Sequence, residues 1–60
     1  MQVEFIKAKN VEAGRLTLWW RGDYTYELTI RSHTAPVFIW QKWLEDCDLE
    51  AAEEEFARIS

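Results

Sequence analysis

Apolar and polar side chains alternate one by one along two adjoining stretches of this chain. Between Arg15 and Arg21, Leu16, Leu18 and Trp20 interleave with Arg15, Thr17, Trp19 and Arg21; beyond Gly22-Asp23, Tyr24, Tyr26, Leu28 and Ile30 interleave with Thr25, Glu27, Thr29 and Arg31. A period of two is that of a β-strand. The aromatic and β-branched content suits strands, and a Gly-Asp pair between two such runs marks a hairpin. Strands over about 15–21 and 24–31 are predicted. A two-residue loop at Gly22-Asp23 would set Leu16, Leu18 and Trp20 on the same face as Thr25, Glu27 and Thr29, dividing the apolar set. Because a slip of one residue flips a strand's side chains, an odd loop Arg21-Gly22-Asp23, or a bulge beside the glycine, would restore one apolar face, and the odd loop is predicted. Leu18 would then face Tyr26 and Leu16 would face Leu28. One face gathers Leu16, Leu18, Trp20, Tyr24, Tyr26, Leu28 and Ile30; the other holds the polar set, with Trp19 as its one misplaced residue.

Residues 2–9 read as a first strand, with Val3 and Phe5 inward and Ile6 and Ala8 on the other side. Asn10 to Gly14 form the loop, bounded by Asn10 and Gly14, which both tolerate positive φ. After the turn residues 32–36, Val37, Trp40, Trp43, Leu44 and Cys47 recur at steps of three and four, which predicts a helix over about 35–46 with Thr34 as N-cap and Pro36 in the first turn. The run Val37-Phe38-Ile39-Trp40 also suits a strand, so a fourth strand is the alternative. Leu49, Ala52, Phe56 and Ile59 form a second stripe, turned by roughly 100° from the first on one continuous helix. This predicts a separate helix over 48–59, capped by Asp48, with Glu50 in its first turn and Arg58 in its last, Glu54 standing at i−4. The fold expected is α+β: a single domain, a three-stranded antiparallel β-meander with two C-terminal helices packed on one face.

Length sharpens the picture. Sixty residues make a small core, and a chain of this size buries only about 60% of the surface its unfolded form exposes. Four Trp, three Phe and two Tyr exceed what such a core can enclose, so aromatic surface should remain for a partner or a second copy. Net charge is −4, and it is uneven: residues 1–43 carry six Lys/Arg against four acids, residues 44–60 one Arg against seven acids. The single Cys47 admits no internal disulfide, the first ten residues lack a signal peptide's apolar centre, and no apolar run approaches the roughly 18 residues of a membrane span. A cytoplasmic location and no membrane partner are expected.

Chemistry is sparse. Cys47 and His33 are the only residues of their kinds, and neither sits in a nucleophile–base or zinc motif; Cys47 continues an apolar stripe and His33 lies among turn residues. Arg21-Gly22-Asp23 spells an adhesion tripeptide, but turn chemistry accounts for it. The acids have neither the spacing of a calcium loop nor another metal motif. No cofactor and no enzymatic activity are expected. Two constellations remain. Trp19 among Arg15, Arg21 and Arg31 on the polar sheet face has the composition of a protein-interaction hot spot. Glu50, Glu53 and Glu54 lie on an acidic helix that is either a solvated face or a mimic that docks on a basic surface. The function expected is a small non-enzymatic interaction protein that binds a protein partner or itself. Its size and acidity fit a phage- or prophage-encoded inhibitor or regulator of a host protein. The alternative is a single-stranded nucleic-acid binder, which would stack bases on Trp19 and hold phosphates with the arginines; Glu27 in mid-face counts against it.

Overall fold

A computed structural model of the chain describes residues 3–60. It contains strands β1 (Glu4–Val11), β2 (Gly14–Gly22), β3 (Thr25–Arg31) and β4 (Phe38–Leu44), then one helix, α1 (Leu49–Arg58). The strands form an antiparallel meander in the order β1-β2-β3-β4. The α+β class holds with four strands and one helix in place of three strands and two helices.

The central hairpin keeps its predicted parity. Leu16 pairs with Ile30, Leu18 with Leu28 and Trp20 with Tyr26, and a bulge lies between Trp20 and Gly22. The register is offset from the expected one because the turn has moved to Asp23-Tyr24, where Gly22 at φ 110° and Asp23 at φ 49° supply the left-handed backbone. Tyr24 therefore sits at the tip, 67% exposed, and not on the inner face. The buried set is Val11, Leu16, Leu18, Tyr26, Leu28, Ile30 and Leu44 from the sheet with Ala52 and Phe56 from α1. Leu16, Leu18 and Leu28 are wholly enclosed.

β1 departs from expectation in the direction its side chains point. A bulge between Phe5 and Lys7 rotates the strand, so Val3 and Phe5 face away from the core, 42% and 60% exposed, and Ile6 packs against it. Gln2, placed in the predicted strand, lies outside the described residues. The first turn is Glu12-Ala13, since Val11 already pairs with Gly14. Gly14 is required by close approach and not by positive φ: a Cβ there would lie 2.0 Å from the Arg31 carbonyl oxygen.

The helix expected over 35–46 is a strand. β3 offers β4 a free edge, and every pairing from Tyr26 opposite Leu44 to Ile30 opposite Trp40 satisfies backbone groups that an exposed helix could not use to extend the sheet. The steps of three and four that looked helical coincide with an alternation in which Trp40, Lys42 and Leu44 share the helix face while Gln41 and Trp43 share the other, and a bulge at Ile39 brings Phe38 onto that other face as well. Thr34 caps no helix; its backbone N–H donates to Ser32 Oγ at 3.2 Å, and Ser32 N–H closes the loop on the Val37 carbonyl at 3.0 Å.

The second helix matches its prediction. Asp48 accepts from Ala51 N–H at 2.9 Å, Glu50 is in the first turn and Arg58 in the last, although Arg58 pairs with Glu55 at 3.2 Å and not with Glu54. Phe56 anchors α1 on the sheet beneath the ammonium groups of Lys7 and Lys9, 5.6 and 4.8 Å from its ring centre. Lys7–Glu53 (3.7 Å) and Lys42–Glu55 (3.5 Å) tie the helix to β1 and to β4. One face of the sheet is thus covered and the other is open.

Candidate functional site, the open sheet face

The register arranges the open face in three rows across the strands. Phe5, Trp19, Glu27 and Trp43 form one row; Ala8, Thr17, Thr29 and Gln41 the next; Asn10, Arg15, Arg31 and Phe38 the third. With neighbouring strands about 4.8 Å apart, Trp19 and Trp43 stand roughly 10 Å from each other across Glu27.

Each ring on this face is held from one side. Trp19 Nε1–H donates to Thr29 Oγ1 at 2.9 Å, and Phe5 meets the indole edge-on with centroids 6.0 Å apart and planes at 79°. The Arg21 guanidinium lies over Trp43 at 4.9 Å, and that of Arg31 over Phe38 at 5.6 Å. The arginines therefore stack on Trp43 and Phe38, not on Trp19, and the outer surfaces of the rings stay in solvent: Phe38 is 63% and Trp43 45% exposed.

Glu27 is the acid of this face and one of the least exposed polar residues, 6% accessible. Arg21 Nη1 approaches it at 3.3 Å and Gln41 Nε2 donates to it at 2.6 Å, so its charge is matched within the sheet. Among the described residues no acid pairs with Arg15 or Arg31. They face each other as direct cross-strand partners, with Arg15 donating to Asn10 Oδ1 at 3.2 Å. Like charges directly opposite on a sheet repel. Two depressions flank the Trp19 ridge. One, of about 370 Å³, is lined by Trp19, Arg21, Glu27, Gln41 and Trp43 among others; the second, of about 220 Å³, by Phe5, Thr17, Trp19, Phe38 and the Arg15/Arg31 pair.

Of the residues singled out in the sequence, Trp19, Arg15, Arg21 and Arg31 come together here, whereas Glu50, Glu53 and Glu54 lie on α1 across the sheet. Glu53 is engaged by Lys7, while Glu50 and Glu54 are exposed. The sequence reading missed Phe5, Phe38, Gln41 and Trp43. The signal available for Gln41 and Trp43 was the alternation of residues 39–44 read as a strand; for Phe5 and Phe38, which bulges turn onto this face, none existed.

Cys47 and His33 are engaged separately. Cys47 N–H donates to the Tyr24 carbonyl at 3.0 Å, its thiol sits 3.9 Å from the Leu44 carbonyl, and His33 Nε2 lies 3.2 Å from the Val11 carbonyl oxygen. Burial, then the charges of Asp48, Asp46 and Glu55, push the Cys47 thiol up from its ordinary pKa. Burial likewise raises Tyr26, followed by the nearby Cys47, Asp48 and Tyr24. Among the described residues no three His, Cys, Asp or Glu converge on a point that could hold a metal ion, and no helix is long and apolar enough to cross a membrane.

What this arrangement defines is a platform, with rings and guanidinium groups presented on a rigid sheet. Compared with family models, curated proteins and solved structures, the chain finds no significant match in any of the three.

Proposed function

We propose that this chain is a non-enzymatic interaction module whose open sheet face binds an acidic, partly apolar surface of another protein. The observation that carries the reading is the Arg15/Arg31 pair: two arginines at directly opposed backbone positions, neither of them paired with an acid among the described residues, beside the exposed rings of Phe5 and Phe38 and the half-buried Trp19. A carboxylate from a partner relieves that repulsion in a partly desolvated setting, and apolar neighbours of the carboxylate cover the rings. Trp and Arg together are the residue types most enriched where interfaces concentrate their energy. A partner inside a host cell, with this chain as a phage- or prophage-encoded inhibitor or regulator, fits the size and acidity of the molecule. The acidic face of α1 then serves to keep the far side hydrated and distinct; Glu53 and Glu55 are committed to lysines, which leaves Glu50 and Glu54 as the freer acids for a second contact.

The test is capture of partners from the native host by the wild-type chain and by Arg15→Glu/Arg31→Glu, followed by titration of the purified partner. Binding that falls about 100-fold in the double variant, and that returns when an acidic residue of the partner is changed to Lys, supports the reading. Equal binding by both chains removes it.

A second reading has its own observation. The open face gathers three arginines while the acids of residues 45–55 lie beyond the sheet or on its far side, so it is locally cationic despite the net charge of −4. Single-stranded nucleic acid bound there would quench Trp fluorescence, with an affinity that weakens steeply with salt. Arg21, already spent on Glu27 and Trp43, makes this the weaker reading, and a flat oligothymidine titration at low salt eliminates it.

A further inference from the structure

The two depressions beside Trp19 differ in charge. The larger holds Glu27 together with the Arg21 that neutralises it. The smaller, of about 220 Å³, is lined by Arg15 and Arg31 and by no acid among the described residues, and neither arginine is ion-paired there. The rows of the sheet order the rest of its lining. At one end stands the edge-to-face pair of Phe5 and Trp19; the small side chains of Ala8 and Thr17, themselves cross-strand partners, occupy the middle; Arg15 and Arg31 close the other end, where Arg31 lies over the Phe38 ring. Successive rows on one face of a sheet are about 6.8 Å apart.

We infer that this smaller depression receives an aromatic ring carrying a doubly charged anion, the phosphotyrosine side chain of a partner protein. Charge selects the anion. A carboxylate neutralises one guanidinium and leaves the other unmatched, whereas a phosphate monoester brings about two negative charges and three acceptor oxygens, enough for both arginines. The lining selects the ring. A phosphoserine reaches the arginines but leaves Phe5 and Trp19 in water; a ring set over Ala8 and Thr17 meets that aromatic pair and carries its ester oxygen toward the arginine row, one row spacing of about 6.8 Å away. Size selects the source. At about 220 Å³ the depression falls below the roughly 300–1,000 Å³ of sites that enclose a whole small molecule, so it takes a side chain, and the exposed rings of Phe5 and Phe38 lie where the rest of the partner covers them. A second copy of this chain is a poor occupant, because its open face brings arginines to arginines and its Glu27 is already matched by Arg21 and Gln41. The occupant so named rests on the open-face reading, with a phosphate in the place given there to a carboxylate.

The probe is an acetylated and amidated Ala-phosphotyrosine-Ala tripeptide, titrated into the isotope-labelled full chain and followed by NMR at the Trp19 indole N–H and the Arg15 and Arg31 side-chain N–H groups. These signals should shift saturably. The dissociation constant should lie at least about tenfold below that of the sulfotyrosine tripeptide, which has the same shape and one charge fewer, and that of the phosphoserine tripeptide, which lacks the ring. Arg15→Gln/Arg31→Gln should abolish the shifts at the Trp19 indole. Ala8→Leu fills the space beneath the ring and leaves both arginines, so it should weaken the phosphotyrosine tripeptide at least about tenfold and the phosphoserine tripeptide no more than a few fold. Circular dichroism of each variant checks its fold. A flat titration of the wild-type chain overturns the inference even where Arg15→Glu/Arg31→Glu loses its captured partner, so this inference and the open-face reading fail separately. Equal affinity for the sulfotyrosine or the phosphoserine tripeptide also overturns it, and so does tighter binding of thymidine monophosphate, which names a nucleotide as the ligand.

Discussion

Removing Arg21 should cost more stability than removing the acid it pairs with. Glu27 has a side chain only 8% exposed, and its charge is balanced by Arg21 at 3.3 Å and by one amide donor from Gln41 at 2.6 Å. Arg21→Ala leaves that carboxylate in place with a single neutral donor. Breaking a buried pair from one side costs about 3–5 kcal/mol, but Arg21 is 27% exposed, so water screens part of the interaction. Adding the lost guanidinium stack on Trp43, the expected destabilisation is about 2–3 kcal/mol. For a domain of this size, that lowers Tm by roughly 8–20 °C. Glu27→Leu strands no charge in the interior: Arg21 keeps its place over Trp43 and turns toward solvent, while leucine fills the apolar strip between Trp19 and Trp43. Its stability should lie within about 1 kcal/mol of wild type. Urea unfolding followed by Trp fluorescence measures both, and Arg21→Ala/Glu27→Leu should recover most of what Arg21→Ala loses. If Glu27→Leu proves as damaging as Arg21→Ala, the account of the open face as a sheet that neutralises its own acid is wrong.

Three further outcomes follow from single contacts. Gly14→Ala should cost at least about 2 kcal/mol, read as a lower urea midpoint, because a Cβ 2.0 Å from the Arg31 carbonyl cannot be accommodated without moving β3. Asp48→Ala removes the cap on Ala51 N–H and should cost about 1 kcal/mol, seen as lost helical ellipticity and faster amide exchange in the first turn of α1. The Cys47 thiol is raised by burial first and by Asp48, Asp46 and Glu55 next, so the folded chain holds this proton after the unfolded chain has lost it. Its contribution to stability is complete below the unfolded thiol's value of about 8.5 and is lost as pH climbs through the folded value. Urea midpoints measured above that pH should therefore decline less steeply in Cys47→Ser than in wild type.

Much of the architecture was legible because it is local. The alternation from Leu16 to Ile30 specified two strands whose apolar residues share a face, and parity called for an odd loop Arg21-Gly22-Asp23 or a bulge beside the glycine; the bulge is what forms, with a two-residue turn at Asp23-Tyr24 in place of the odd loop. The stripe Leu49/Ala52/Phe56 with Asp48 before it specified a helix with its cap. The surplus of rings was legible too: of nine aromatic side chains, Tyr26 and Phe56 are buried, and Phe5, Tyr24, Phe38, Trp40 and Trp43 are exposed. Arg15, Trp19, Arg21 and Arg31 were placed on one face by the same period of two.

The chain by itself thus determined the central hairpin, the terminal helix and the excess of aromatic surface, since each follows from side chains within a few residues of one another. Tertiary structure alone decided the conformation of residues 38–44, which satisfy helical and extended spacing equally and become a strand because β3 has an unpaired edge to offer. It also decided which way Phe5 points, through a bulge in β1 that no local pattern announces. Trp43 and Gln41 join Trp19 and Glu27 on one platform for the same reason: hydrogen bonds across a sheet link residues far apart in sequence, and their register is set by the whole assembly of strands.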